Sequence, residues 1–180
     1  MVVLETKRLI LRMFKESDFE DYAEMFGNQD VVRYLGDGQV LSRFAAWRSL
    51  AVMVGHWSLR GYGMWAVEER SSGNLIGRIG FFYPEGWAGF ELGWVLKPAY
   101  WGRGYATEGA KVALDYGFAQ LNQDSVISLI YPENVRSIRV AERLGEKLQG
   151  KTEIFGNEVF IYGIDRTAWI ATHSNGLASS

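Results

Sequence analysis

In Leu96-Lys97-Pro98-Ala99-Tyr100-Trp101-Gly102-Arg103-Gly104-Tyr105-Ala106-Thr107-Glu108 a strand ends, a proline breaks pairing, and a Gly-x-Gly loop runs straight into a helix. Glycines let the main chain pass close to a ligand, and the helix behind them offers unpaired N–H groups and the positive end of its dipole. Such a loop suits an anion, most simply a phosphate or pyrophosphate, with Arg103 adding a charge-assisted contact. The same glycines also serve as a plain tight connection between strand and helix. Two other phosphate loops are excluded. No Gly-x-x-x-x-Gly-Lys-Ser/Thr occurs, and Gly102 to Thr107 lacks the third glycine or alanine of the dinucleotide fingerprint.

Outward from this loop, Phe90 to Leu96 reads as the strand before it and Gly104 to Gln120 as the helix after it. On that helix Ala106, Ala110, Ala113 and Gly117 form a small-residue face that lets the backbone lie close to a sheet. Upstream, Met64 to Glu68 and Leu75 to Tyr83 flank the turn Ser71-Ser72-Gly73-Asn74, and a second hairpin turns near Pro84-Glu85-Gly86. Ser42 caps a helix ended by Gly61, with Phe44, Trp47, Ala51 and Val54 recurring on one face, and Trp47 and Trp57 are expected in the core. Ser17 or Asp18 caps an earlier helix through Phe26, Gly27 to Val40 is irregular, and Leu9 to Met13 is a first strand after a short one at Val2 to Leu4. Downstream come a strand at Val126 to Tyr131, a helix at Asn134 to Leu144, and two strands turning at Gly156-Asn157. The alternation predicts a mixed sheet with helices packed on it, α/β or α+β by class.

A chain of 180 residues is one domain, expected over residues 1–170, with a polar tail at 171–180 expected to be flexible. Lys+Arg 19 against Asp+Glu 21 leaves a net charge of −2, without the basic surplus of a protein that grips nucleic acid. Cys 0 removes thiol nucleophiles, disulfides and cysteine-based zinc sites, and His 2 is too few for a histidine metal site. No metal is expected. No secretory leader and no membrane-length apolar run are read, so the expected setting is cytoplasmic, without a membrane partner.

Three segments carry a family resemblance. Trp101-Gly102-Arg103-Gly104-Tyr105-Ala106 resembles the Gln/Arg-x-x-Gly-x-Gly/Ala signature of the GNAT superfamily of acetyl-CoA-dependent N-acetyltransferases. Tyr100 to Glu108, Leu4 to Arg12, and Asn134 to Gly145 resemble its RimJ/RimL-type branch, in the right order over about residues 3–165. The resemblance implies the GNAT fold, a mixed, mostly antiparallel twisted sheet of six to seven strands with about four helices on both faces. It implies transfer of the acetyl group of acetyl-CoA to a primary amine, a protein N-terminal α-amine or a small amine, by direct attack with no acyl-enzyme. The alternative is a non-catalytic module of this fold that binds CoA as a sensor or partner protein. Monomer and homodimer are both compatible with the family. The chain departs from the pattern in having Trp101 at the first loop position, Ala141 where most members carry Tyr, and Glu146 where Phe is usual after Leu-Gly.

On that resemblance the cofactor is held by the main chain of Trp101, Gly102, Arg103, Gly104, Tyr105, Ala106 and Thr107, by the strand end Trp94, Val95 and Leu96, and by Asn134. Ser137 stands where the branch places the donor to the departing thiolate. Its other reading is a packing serine, as Asn134 is equally a helix N-cap. Glu91, between Phe90 and Leu92 on the strand before the loop, is a carboxylate that is costly to bury without a task and is the candidate base. A salt bridge or a substrate-orienting role is its other reading. The work asked of a base depends on the acceptor: an α-amine is about a quarter to a third neutral near pH 7.4, a lysine side chain about 0.1%. Tyr34, Trp87 and Glu91 are the candidate acceptor-binding residues, the first two as walls, and His56 reads as a helix-end residue rather than a catalyst.

Overall fold

A hairpin-rich sheet is laid down early, because short β-branched and aromatic runs alternate with glycine turns along the chain. A computed structural model describes residues 2–173. In chain order they form β1 (Leu4–Glu5), β2 (Leu9–Arg12), α1 (Phe19–Phe26), α2 (Gln29–Val32), α3 (Arg43–Arg60), β3 (Met64–Glu69), β4 (Leu75–Phe82) and β5 (Glu91–Leu96). Then follow α4 (Tyr105–Ala119), β6 (Ser125–Ile130), α5 (Val135–Leu144), β7 (Lys147–Ile154), β8 (Asn157–Asp165) and α6 (Arg166–His173). The strands make one 8-stranded sheet in the order β1-β2-β3-β4-β5-β6-β8-β7. Every neighbour pair is antiparallel except β5 and β6. The expected mixed α/β architecture is present, with the short first strand included in the sheet and with α2 and α6 as additional helices. Residues 171–173 continue α6, and residues 174–180 of the expected tail lie outside the described residues.

The central helix α4 packs on β4 because its inner face is nearly bare. A Cβ at Gly109 would lie 2.6 Å from Ile79, and one at Gly117 2.6 Å from Phe81. Ala110 and Ala113 are fully buried beside them. Shaving that face to glycine and alanine brings the start of α4 close over the sheet, which fixes where the glycine loop sits.

Two expectations are corrected. On α3 the Phe44, Trp47, Ala51, Val54 face points outward, with Phe44 70% and Trp47 57% exposed. The buried stripe is Ala46, Leu50, Met53 and Trp57, because Tyr22 and Phe26 of α1 fill the space beneath α3 and admit the small Ala46 where Trp47 does not fit. At the start of α1, Asp18 holds the N-cap position without capping through its side chain. Its carboxylate instead accepts from the Arg12 guanidinium through two bonds of 2.8 Å and from the Lys15 N–H at 2.7 Å. Arg12 also donates to Glu68 at 2.6 Å, so one guanidinium ties β2, β3 and α1 together. Burial works to raise the Asp18 pKa, but the Arg12 and Lys15 bonds outweigh it and hold the carboxyl below its usual range.

No helix among the described residues is long and apolar enough to cross a membrane.

Candidate active site

The sheet opens at its one parallel pair. β5 and β6 meet only where Glu91 faces Ile127, with the Ile127 N–H donating to the Phe90 carbonyl at 3.0 Å. Beyond that rung side chains replace the ladder. The Leu92 carbonyl accepts from the Ser128 hydroxyl at 2.9 Å, and the Leu129 N–H donates to the Glu91 carboxyl. The strands then part into a V, and the exposed edge of β5 faces a cleft of about 1160 Å³.

One end of the cleft is the glycine loop. Gly102 and Gly104 have φ of 74° and 79°, left-handed values that L side chains adopt at a cost. Gly104 is the N-cap of α4 and supplies no capping side chain. Among the described residues, the N–H groups of Tyr105, Ala106 and Thr107 make no bond outside the helix, so they remain available to an anion. The loop is clasped from behind. Thr6 donates to Glu108 at 2.6 Å, and Arg8 donates to Glu108 at 2.6 Å and to the Arg103 carbonyl at 2.9 Å. Trp101 donates its indole N–H to the Leu96 carbonyl at 2.8 Å, joining the loop to the end of β5.

The floor is α5. The Asn134 side chain accepts from the Ser137 N–H at 3.2 Å, which is the N-cap expected of it, and Asn134 also borders the cleft. The Ser137 hydroxyl accepts from the Trp94 indole N–H at 3.3 Å. An accepting bond leaves the hydroxyl proton itself free to be donated. From the same helix Arg136, Arg139 and Arg143 line the cleft, with the Arg136 guanidinium 4.6 Å from the centre of the Trp101 ring. Sequence reasoning stopped at Asn134 and Ser137 and missed this basic stripe, although its i, i+3, i+7 spacing was there to be read.

At the other end Glu91 meets aromatic side chains. Trp87 donates its indole N–H to Glu91 at 2.6 Å, and its ring packs edge-on against Phe82 at 5.4 Å and near Phe155 at 6.3 Å. Tyr34 packs on Tyr131 at 6.1 Å, and the Tyr131 hydroxyl donates to the Gly36 carbonyl at 2.5 Å. Glu91 is only partly exposed, and burial pushes its pKa up to about 7, against the lowering effect of the Trp87 and Leu129 N–H groups and the charge of Arg78. Phe82, Tyr131 and Phe155 had no sequence signal, since an aromatic residue near a turn is ordinarily packing.

The structure thus brings Tyr34, Trp87, Glu91, Trp94, Val95, Leu96, Asn134 and Ser137 to one cleft with Trp101, Gly102, Gly104, Tyr105, Ala106 and Thr107. Arg103 is not on its wall; its guanidinium lies 5.5 Å from the Tyr100 ring centre. His56 is elsewhere and fully engaged: the Tyr83 N–H donates to Nε2, which leaves Nδ1 as donor to the Tyr62 carbonyl at 2.8 Å. Among the described residues no group of three or more His, Cys, Asp or Glu is placed to hold a metal ion.

The sequence model of the acetyltransferase (GNAT) domain family matches residues 8–147, which include the loop, the V and α5. The chain belongs to the GNAT acetyltransferase family. The uncharacterised N-acetyltransferase YnaD of Bacillus subtilis strain 168 is 31% identical over 147 residues, 82% of this chain and 84% of its own length. Among solved structures, an acetyltransferase from Agrobacterium tumefaciens strain C58 is similar with a TM-score of 0.82 and 28% identity, over 92% of this chain and 95% of that one. The ribosomal-protein-S5-alanine acetyltransferase of Vibrio fischeri shares the fold, with a TM-score of 0.75 at 19% identity over 94% of this chain and 99% of that one. This GNAT chain is an N-acetyltransferase; GNAT acetyltransferases use acetyl-CoA and transfer its acetyl group to amines.

The cleft fits that donor on its own geometry. The unbonded N–H groups at the start of α4 suit a pyrophosphate, the α5 arginines supply further cationic donors to phosphate, and the unpaired edge of β5 offers main-chain partners to an amide-bearing arm.

Proposed function

We propose that the chain acetylates a primary amine, a protein N-terminal α-amine or a small amine, by direct attack in the manner of the RimJ/RimL-type branch, with Glu91 as base and Ser137 as hydrogen-bond donor to the departing thiolate. The bound donor supplies a thioester carbon open to the amine. Glu91 takes a proton from the attacking nitrogen, directly or through one water. With a pKa of about 7 it is ionised at slightly alkaline pH yet still basic enough to hold that proton, the compromise general-base catalysis requires. Ser137 donates a hydrogen bond to the departing sulfur, which leaves as the CoA thiolate and takes its proton from solvent; the Trp94 N–H bonds the Ser137 hydroxyl oxygen and the Asn134 cap holds its main chain. Gly102 to Thr107 and the α5 arginines hold the phosphates, and Tyr34 and Trp87 wall the acceptor. The absence of cysteine agrees with a route that has no acyl-enzyme.

The observation that carries this reading is a half-buried carboxyl, oriented by the Trp87 indole N–H, at the mouth of the V. The test is release of CoA thiol from acetyl-CoA with a panel of peptide N-termini, polyamines and amino acids, alongside calorimetric binding of CoA. Glu91→Gln and Ser137→Ala are expected to lower kcat about 100-fold or more while the Kd for CoA stays within about twofold. CoA binding with no turnover of any amine would instead favour the sensor module.

A further inference from the structure

Beyond the cleft wall a second carboxyl lies in the core, with no ion-pair partner among the described residues. Glu146 follows Gly145, the left-handed C-cap of α5, and is 3% exposed. Its Oε1 lies 3.0 Å from the Ser128 hydroxyl, and its Oε2 has no hydrogen-bond partner among the described residues. The Ser128 hydroxyl is also 2.9 Å from the Leu92 carbonyl.

Donor counting decides the direction of this chain. A serine hydroxyl has one proton and the Leu92 carbonyl only accepts, so an ionised Glu146 would leave the two contacts sharing that proton, whereas each is a full two-centre bond when Glu146 is the donor to Ser128. A carboxyl donates only when protonated. Its surroundings favour that form: Glu142 and Arg143 on α5, Lys147 on β7 and Tyr162 on β8 make no hydrogen bond or ion pair with it among the described residues. The charge that bears on it is that of Glu91 on β5, while Arg78 on β4 acts on Glu91. Burial pushes the Glu146 pKa up to about 8, the Ser128 hydroxyl opposing the shift and the Glu91 charge adding to it.

We propose that Glu146 is a positioning residue for the base: carrying a proton, it donates to Ser128, whose hydroxyl then donates to the Leu92 carbonyl and pins β5 to β6 one residue beyond Glu91. When that proton leaves for solvent, the carboxylate can only accept. The Ser128 hydrogen turns toward it, the Leu92 carbonyl loses its donor, and a second negative charge faces Glu91 at the point where the strands part. The alkaline form is therefore the less active one. The proposal rests on Glu91 being the base and adds a switch of its own to it.

The test compares the native chain, Glu146→Gln and Ser128→Ala in pH profiles of kcat and in thermal unfolding across pH. Gln keeps a donor toward Ser128 and does not ionise. It is expected to keep native kcat near pH 7.5, to keep the acid limb of Glu91, and to lose the alkaline limb, exceeding the native kcat about tenfold near pH 9. Ser128→Ala releases the Leu92 carbonyl at every pH, so its kcat is low throughout. An alkaline limb unchanged in Glu146→Gln overturns the proposal.

Unfolding provides a readout that needs no turnover. A carboxyl whose pKa is raised by folding contributes stability that is lost as pH rises from its unfolded value, about 4.5, through its folded one. Removing it makes the Tm advantage of Glu146→Gln over the native chain grow, by roughly 8–16 °C between pH 5 and pH 9. A growing gap without turnover of any amine upholds the buried proton and sinks the acetyl-transfer reading. A flat gap sinks the proposal and leaves that reading standing.

Discussion

The two ends of the cleft are made of different material. At the glycine-loop end, where we propose that the donor sits, the groups on offer are main chain, namely the N–H groups at the start of α4 and the open edge of β5. At the Glu91 end, where we propose that the acceptor sits, they are side chains from separate segments, with Tyr34 after α2, Phe82 and Trp87 around the β4–β5 turn, Tyr131 after β6 and Phe155 between β7 and β8. A main-chain site demands particular residue types at adjacent positions, because only glycine takes φ near +75° freely and only a helix start leaves N–H groups unpaired. A side-chain wall demands only aromatic bulk that the fold gathers afterwards. The first kind of site is therefore written contiguously, and the second is not.

Gly104→Val is the hardest test of that contrast. It forces a β-branched residue to φ 79° at the start of α4 and pushes a side chain against the Arg8 guanidinium that clasps the loop, so the Kd for acetyl-CoA is expected to rise at least tenfold. The acceptor KM should stay within about twofold, and equal losses in both would mean the two ends are not separable. Trp87→Phe should do the reverse at smaller scale. It keeps the ring but removes the N–H that favours the ionised Glu91, so the acid limb of kcat moves to higher pH and the acceptor KM rises about fivefold. The Kd for acetyl-CoA should not change. Trp47→Ser is the control at neither end: with the side chain on the outer face of α3, Tm should move by no more than about 2 °C and kcat not at all.

The same contrast explains what the sequence discloses of the fold. Turns and caps are local chemistry, so Ser42, whose side chain accepts from the Ala45 N–H, and Gly61, with φ 74°, mark the ends of α3 correctly. Which way α3 faces is not local. It carries two apolar stripes, and only the presence of Tyr22 and Phe26 beneath it selects Ala46, Leu50, Met53 and Trp57 over Phe44 and Trp47. Asp18 shows the competing pull: as a residue type it is a good cap, yet the Arg12 guanidinium offers it a stronger partner. In α6 the signal was present and unread, since Asp165 accepts from the Ala168 N–H at 2.7 Å as an N-cap does. Glu146 stood out in the sequence as a departure, but its partner Ser128 lies on another strand and becomes visible only when β6 is in place.

The clasp of Thr6 and Arg8 on Glu108 also sets a timetable. Its partners are separated by about 100 residues of chain, and chains are made at about 5–20 residues per second, so β1 and β2 emerge roughly 5–20 s before the acid they hold. Until Glu108 arrives, Thr6 and Arg8 have no partner at that position, and the loop cannot be held in its finished shape. The donor end, though written in one contiguous stretch, is among the last parts of the sheet's first half to be secured during synthesis. Its assembly is a long-range event of the kind that slows folding.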